Sequence, residues 1–163
     1  MQAQEGARPL YSNGEAITAI NRREPFANKT GSFIGWRIEF RDVLAEVSDT
    51  GTMLLLAERE GGQGRLEIGA LPKVYAEELC KAFAASAAVY VVYSYGTVIG
   101  WGTSANEYTP EDQVIIPNVR YSATTSRHQH VLEEAAGAKW LQLDGAPAHV
   151  SVEERARSYT PRR

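Results

Sequence analysis

From Phe33 the chain alternates: Ile34, Trp36, Ile38 and Phe40 share one parity, and Phe33, Gly35, Arg37 and Glu39 share the other. That is the two-residue period of a strand whose first set faces a core. Val43 to Ser48 and Thr52 to Glu58 flank the short Asp49-Thr50-Gly51 loop and predict a hairpin. Gly61-Gly62-Gln63-Gly64 reads as a turn before Arg65 to Ile68, which extends the pattern into an antiparallel meander. Val89-Tyr90-Val91-Val92-Tyr93 is β-branched and aromatic throughout, the composition of a central strand buried on both faces. Gly96 marks a bend or bulge, Val98 to Trp101 a continuing or returning strand, and Val114 to Ile116 a strand whose partner the pattern does not name. Trp140 to Leu143 reads as a last strand.

Helical periodicity occurs in two places. After Pro72, a favoured first helical residue, Tyr75, Leu79, Ala82 and Phe83 recur at helical spacing up to Ser86. Ser126 followed by Gln129 matches a capping box and predicts a helix from Arg127 to about Ala136, closed by Gly137 in a left-handed conformation. Near the start, Leu10 to Ser12 and Ala16 to Ile20 flank Asn13-Gly14 and predict a small hairpin. Asn21 to Ser32 has loop composition, with Phe26 as an anchor for the core. The expected fold is a single α+β domain over residues 1–163, mainly an antiparallel β-sheet with two packed α-helices. Residues 1–8 and 151–163 are expected to be flexible.

Composition narrows the function classes. The 163 residues, 44% hydrophobic and 23% charged, suit one ordinary folded domain. A formal net charge of −3 supplies no global field toward nucleic acid or anionic membrane, so polyanion binding requires a local patch. The single cysteine, Cys80, lies in a predicted helix as a small hydrophobe. The N-terminus has no basic start followed by an apolar run, and no apolar stretch is long enough to span a bilayer. A cytoplasmic protein with no membrane contact is expected, its oligomeric state open.

Two residue sets bear on chemistry. Thr124, Thr125, Ser126, Arg127 and His128 put hydroxyls, a guanidinium and an imidazole at a helix start, whose unpaired N–H groups and partial positive charge suit an anion. The alternative is that they only cap the helix and pack. Tyr93, Tyr95, Trp101 and Tyr121, with Tyr90 and Tyr108 and the nearby Arg120 and Arg127, would make a stacking platform for bases or an anchor patch for a protein. Their alternative is to fill the two faces of a sheet. His128 and His130 stand two apart on a helix and point about 200° from one another, so they do not grip one metal ion as residues four apart would. No metal site and no cofactor are expected. The glycine run lacks the spacing and the Lys-Ser/Thr ending of a phosphate-binding loop, no Gly-x-Ser-x-Gly elbow occurs, and nothing in the sequence activates Cys80.

Tyr93-Ser94-Tyr95-Gly96-Thr97-Val98-Ile99-Gly100-Trp101 and Tyr121-Ser122-Ala123-Thr124-Thr125-Ser126-Arg127-His128-Gln129 together resemble a paired signature of small uncharacterised proteins of actinobacterial phages, prophages and plasmids. Those read Tyr-Ser-Tyr-x-Thr-Pro-Ile-Ala-Trp and Tyr-Ser-x-Thr-Thr-Ser-Arg/Lys-His-Gln. Val98 and Gly100 stand here in place of that proline and alanine, and Asn21-Arg22-Arg23-Glu24-Pro25-Phe26 is a looser echo. The resemblance implies a setting in a phage or mobile element and no mechanism. With no catalytic set in the residues, the expected function is a non-enzymatic accessory protein that binds a host protein or nucleic acid through Tyr93, Tyr95, Trp101, Tyr121 and Thr124 to His128. The alternative is a small hydrolase or phosphoryl-handling enzyme with His128, its pKa lowered by the helix end, as general acid or base.

Overall fold

The computed structural model describes residues 3–38, 43–47, 51–57, 62–85, 89–103 and 113–150. In chain order they form β1 (Arg8–Pro9), α1 (Asn13–Asn21), β2 (Phe26–Ala27), β3 (Phe33–Ile38), β4 (Val43–Val47), β5 (Thr52–Ala57), β6 (Gly62–Glu67), α2 (Lys73–Ala85), β7 (Val89–Ser94), β8 (Thr97–Thr103), β9 (Gln113–Pro117), α3 (Ala123–Glu133) and β10 (Ala138–Leu141). One seven-stranded sheet has the order β1-β2-β3-β7-β8-β9-β10, and β4-β5-β6 form a separate three-stranded meander. The architecture is α+β and rich in antiparallel pairs, with three helices among the described residues where two were expected.

The strand with the strongest apolar run lies at the centre. All six residues of β7 are buried. It pairs antiparallel with β3, Phe33 opposite Ser94, and with β8 across the turn Tyr95-Gly96. Tyr95 and Gly96 have φ of 50° and 76°, the doubly left-handed geometry whose twist matches a two-residue hairpin. A register shift beside Val92 and Tyr93 leaves Ile99 as the extra residue of a bulge.

Both edges of this sheet are parallel, which the hairpin pattern did not reveal. β1 runs parallel to β2 across α1, and β9 parallel to β10 across α3. A parallel pair needs a crossover, and these two helices supply it. Each crossover starts its helix at the end of the sheet where β1, β7 and β9 finish and β3 begins. α1 and α3 then run side by side, and at the far end Asn21 Oδ1 accepts the Ala136 N–H at 2.8 Å. α3 lies close over β8, where a Cβ on Gly100 would stand 2.9 Å from the Leu132 side chain, and a Cβ on Gly102 would stand 2.8 Å from the Arg23 guanidinium.

Two local signals resolve differently from their reading in sequence. Asn13-Gly14 is the first turn of α1 rather than a hairpin, because Ser12 caps the helix by accepting the Glu15 N–H at 3.3 Å while Glu15 accepts the Tyr11 N–H at 3.1 Å. Likewise α3 begins a full turn before the expected Arg127. Ser122 is its cap, accepting the Thr125 N–H, and Gln129 donates inward to the Val119 carbonyl instead of reaching back to Ser126. Gly137 is left-handed, at φ 73°, but does not close the helix: α3 ends at Glu133 with Glu134 as its C-cap, short of the expected Ala136. In the glycine run, β6 starts at Gly62, so part of the expected turn is strand. The lead-in is anchored from Gln4, whose side-chain amide accepts from the Arg37 N–H and donates to the Arg37 carbonyl as a further strand would. The expected tail 151–163 lies outside the described residues.

The end of the sheet away from the helix starts is tied by Arg23. Arg23 is 7% exposed, and its guanidinium donates to the carbonyls of Ile20, Thr103 and Gln113, joining α1 to the end of β8 and the start of β9. Tyr90 lies nearby, its hydroxyl donating to the Glu24 carbonyl, and its burial raises its pKa well above the usual tyrosine range. Charge-assisted bonds of this kind are worth about 1.5–3 kcal/mol each and leave buried carbonyls unsatisfied when removed. Arg23→Ala is expected to lower unfolding free energy by about 3 kcal/mol in urea titrations, and Arg23→Lys, which lacks the fork, to restore less than half of that. A loss under about 0.5 kcal/mol, the scale of an ordinary surface change, refutes the clamp. The helix start is tested by two serines: Ser122→Ala should cost about 1 kcal/mol and Ser126→Ala much less. The reverse order returns the cap to Ser126.

Candidate functional site

Where β7 ends and α3 begins, the alternation of β7 turns Tyr90, Val92 and Ser94 toward α1 and α3 and sends Val91 and Tyr93 to the other face. Ser94, fully buried, therefore meets the first turns of α3. Its Oγ lies 2.6 Å from His128 Nδ1 and donates at 3.1 Å to Thr125 Oγ1, which Ser122 Oγ also reaches at 3.2 Å. The His128 ring lies flat on Phe33, with centroids 4.3 Å apart and planes 4° apart. Tyr95 stacks loosely on the same imidazole at 6.1 Å and 26°. Phe33 is itself held edge-on by Phe26 at 5.0 Å.

The rim is polar and carries positive charge. Tyr95 is 40% exposed and sits in a left-handed backbone that costs a non-glycine residue on the order of 1 kcal/mol. Its N–H donates to the Ser32 carbonyl, which brings the loop Asn28–Ser32, with exposed Lys29, alongside. Arg120 and Arg127 are exposed on either side of the start of α3. The first turn of α3 holds no acidic residue, whereas that of α1 holds Glu15. The α1 start is thus neutralised by its own carboxylate, and the α3 start keeps its partial positive charge.

Five of the nine candidate residues gather at this corner: Thr124, Thr125, Ser126, Arg127 and His128, of which Thr125 is fully buried and Arg127 exposed. Tyr95 joins them from the hairpin. Tyr93, Trp101 and Tyr121 do not form an exposed platform, because all three are buried in the core. Tyr93 and Trp101 also face the side of the sheet away from α3, by the alternation of their strands. The Tyr93 hydroxyl has no hydrogen-bond partner among the described residues, and burial raises its pKa beyond the usual range. Tyr108 lies outside the described residues. Ser94 and Phe33 were missed as site residues: Ser94 stood only within the Tyr93 to Trp101 motif, and only the β3–β7 register places Phe33 beside it.

His130 points away from the sheet, exposed and paired with Glu133 at 3.1 Å, so the two histidines of α3 occupy different sides. That contact, and then the Trp140 side chain, holds the Glu133 carboxyl below its usual range. Cys80 is half-buried, and its thiol pKa is raised first by desolvation and then by Glu77 and Glu46, the opposite of an activated nucleophile. Among the described residues no helix is long and apolar enough to cross a membrane.

Comparison with known proteins adds a family and no activity. No curated protein and no solved structure matches the chain. One family model does, over residues 42–142, which takes in β7 to β10 and α3 with Ser94, Tyr95 and His128 and leaves Arg23 and Phe33 before its start. The matched span exceeds half the chain, and the protein belongs to that family, a family of unknown function (DUF8033).

Proposed function

We propose that this protein is a non-enzymatic accessory protein that binds single-stranded nucleic acid at the corner where the β7–β8 hairpin meets α3. The observation that carries the reading is Tyr95, an exposed ring held in a strained left-handed turn against an imidazole that is itself stacked on Phe33. An exposed aromatic held in a fixed backbone is a stacking surface that tolerates any base. Beside it, the acid-free start of α3 with Arg120 and Arg127 supplies the local positive field that the chain as a whole, at −3, lacks. The setting in an actinobacterial phage or mobile element comes from the resemblance of the two motifs, and a host cytoplasm would be its place of action.

A second reading draws support from the 2.6 Å contact between Ser94 and His128. Ser94 is fully buried and does not present itself to a substrate, so in a hydrolase or phosphoryl-handling enzyme the working group would be His128 as acid or base, beside the anion site of α3.

Fluorescence anisotropy with labelled single-stranded DNA and RNA tests the first reading. Tyr95→Ala is expected to weaken binding about tenfold, within the range of base–aromatic stacking. Arg127→Ala should weaken it and reduce the salt slope by about one. Wild-type protein that binds neither strand, or a Tyr95→Ala variant that binds as tightly, removes the proposal. Capture of an actinobacterial host protein that depends on Tyr95 would then put a protein in place of the nucleic acid. For the second reading, phosphatase, nuclease and esterase substrates should turn over with wild type and lose most of their rate with His128→Ala. Equal rates eliminate it.

A further inference from the structure

We propose that the groove beside Tyr11 is a second base-binding position for the same single strand, with Tyr11 as its stacking ring and Lys29 as the phosphate contact between it and Tyr95. The inference rests on the nucleic-acid reading above and extends its footprint along one end of the sheet.

Strand order places these residues in a row. β1 and β2 finish at the end of the sheet where β7 finishes and β3 begins. Tyr11 stands two residues past β1, Lys29 two residues past β2, and Tyr95 directly after β7. In the order β1-β2-β3-β7, the first and last strands are three spacings apart, roughly 14 Å at about 4.8 Å per spacing. Stacked bases of one strand rise about 3.4 Å each, so roughly four such steps cover that distance. Hydrogen bonds tie the row together. Tyr95 N–H donates to the Ser32 carbonyl at 2.8 Å, Asn28 Nδ2 donates to Ser32 Oγ at 2.9 Å, and Asn28 in turn lines the groove.

The groove has a volume of about 680 Å³, within the range of sites that hold small ligands. Pro9, Leu10 and Ala27 give it an apolar lining, and exposed Lys29 is the one charged residue that lines it among the described residues. Tyr11 is 86% exposed, and among the described residues no other ring stacks on it. An exposed tyrosine alone is ordinary, but the backbone of this one is fixed from two sides. Leu10 N–H donates to the Ala27 carbonyl at 3.0 Å, and Tyr11 N–H donates to Glu15 Oε2 at 3.1 Å. A fixed backbone lowers the ordering cost of stacking a base on the ring.

Charge decides which part of a nucleotide goes where. The Glu15 carboxylate beside Tyr11 repels a phosphate, so the uncharged base belongs at the ring. Lys29 attracts the phosphate, and an ordered turn carries it: Phe33 N–H donates to Asn28 Oδ1 at 3.0 Å, and Asn28 N–H donates to the Phe33 carbonyl at 2.9 Å.

Anisotropy titrations of the full-length protein with labelled oligothymidines, from a dinucleotide to an octanucleotide, test the second position. A dinucleotide is too short to reach both rings, and an octanucleotide spans them. Tyr11→Ala is expected to leave dinucleotide binding as in wild type and to weaken octanucleotide binding about tenfold, within the range of base–aromatic stacking. Tyr11→Phe, which keeps the ring, should bind the octanucleotide like wild type. Lys29→Gln should reduce the salt slope by about one for the octanucleotide only. Tyr95-dependent binding that Tyr11→Ala leaves unchanged at every length overturns the second position and keeps the first. A Tyr11→Ala loss equal for the dinucleotide and the octanucleotide also overturns it. Wild type that binds no oligonucleotide removes the nucleic-acid reading itself, and this position with it.

Discussion

Because every residue of β7 is withdrawn from water, the fold must cover this strand on both faces, and most of the architecture follows from that requirement. α1 and α3 cover the face that carries Tyr90, Val92 and Ser94, and α3 approaches closely enough that a Cβ at position 100 would crowd Leu132. The other face carries Val91, Tyr93 and Trp101 into the same core as Met53, Leu66, Ile68 and Leu79 from the meander and α2. The links are specific, with Val98 N–H donating to the Ile68 carbonyl and Ala70 N–H to Thr97 Oγ1. A fully buried ring or branched side chain contributes roughly 1.5–3 kcal/mol, so the rings of Tyr90, Tyr93 and Phe26 are among the main sources of stability.

The same requirement places the candidate site. Covering the strand with two crossover helices sets both helix starts at one end of the sheet, where strands β1 and β9 finish. That end of an α/β unit is where ligands are commonly held, because helix N-termini and connecting loops converge there. The two starts differ in charge: Glu15 stands in the first turn of one, and the first turn of the other holds no acidic residue. The polar residue that β7 turns inward at this end is Ser94, and burial obliges it to find partners, which it does in Thr125 and His128.

Much of the strand and helix content was legible in the sequence because it rests on local pattern. The strand from Phe33, the two runs around Asp49 to Gly51, the apolar run of β7 and the periodicity after Pro72 each depend on neighbours within a few positions. The two misplaced helix starts were also local, and they failed through competition between signals. Ser12-Asn13-Gly14-Glu15 contains both a turn dipeptide and a capping box, and the segment from Ser122 to Gln129 contains two serines able to cap. Burial of Ala16, Ala19 and Ile20 on one side of α1, and of Thr125, Gln129 and Leu132 on one side of α3, decides each case in favour of the longer helix.

By itself the sequence determined that this is an α+β chain with one strand buried on both faces, and it singled out the Thr124 to His128 corner from residue type alone. Tertiary structure decided which of its aromatic residues face water: Tyr95 is exposed because it occupies a hairpin turn, while Tyr93, Trp101 and Tyr121 are buried by sheet pairing and helix cover. It also decided the parallel edges and the contacts among Phe33, Ser94 and His128. These lie 34 positions apart for Ser94 and His128 and come together through strand register, which a sequence pattern with a range of a few residues does not encode.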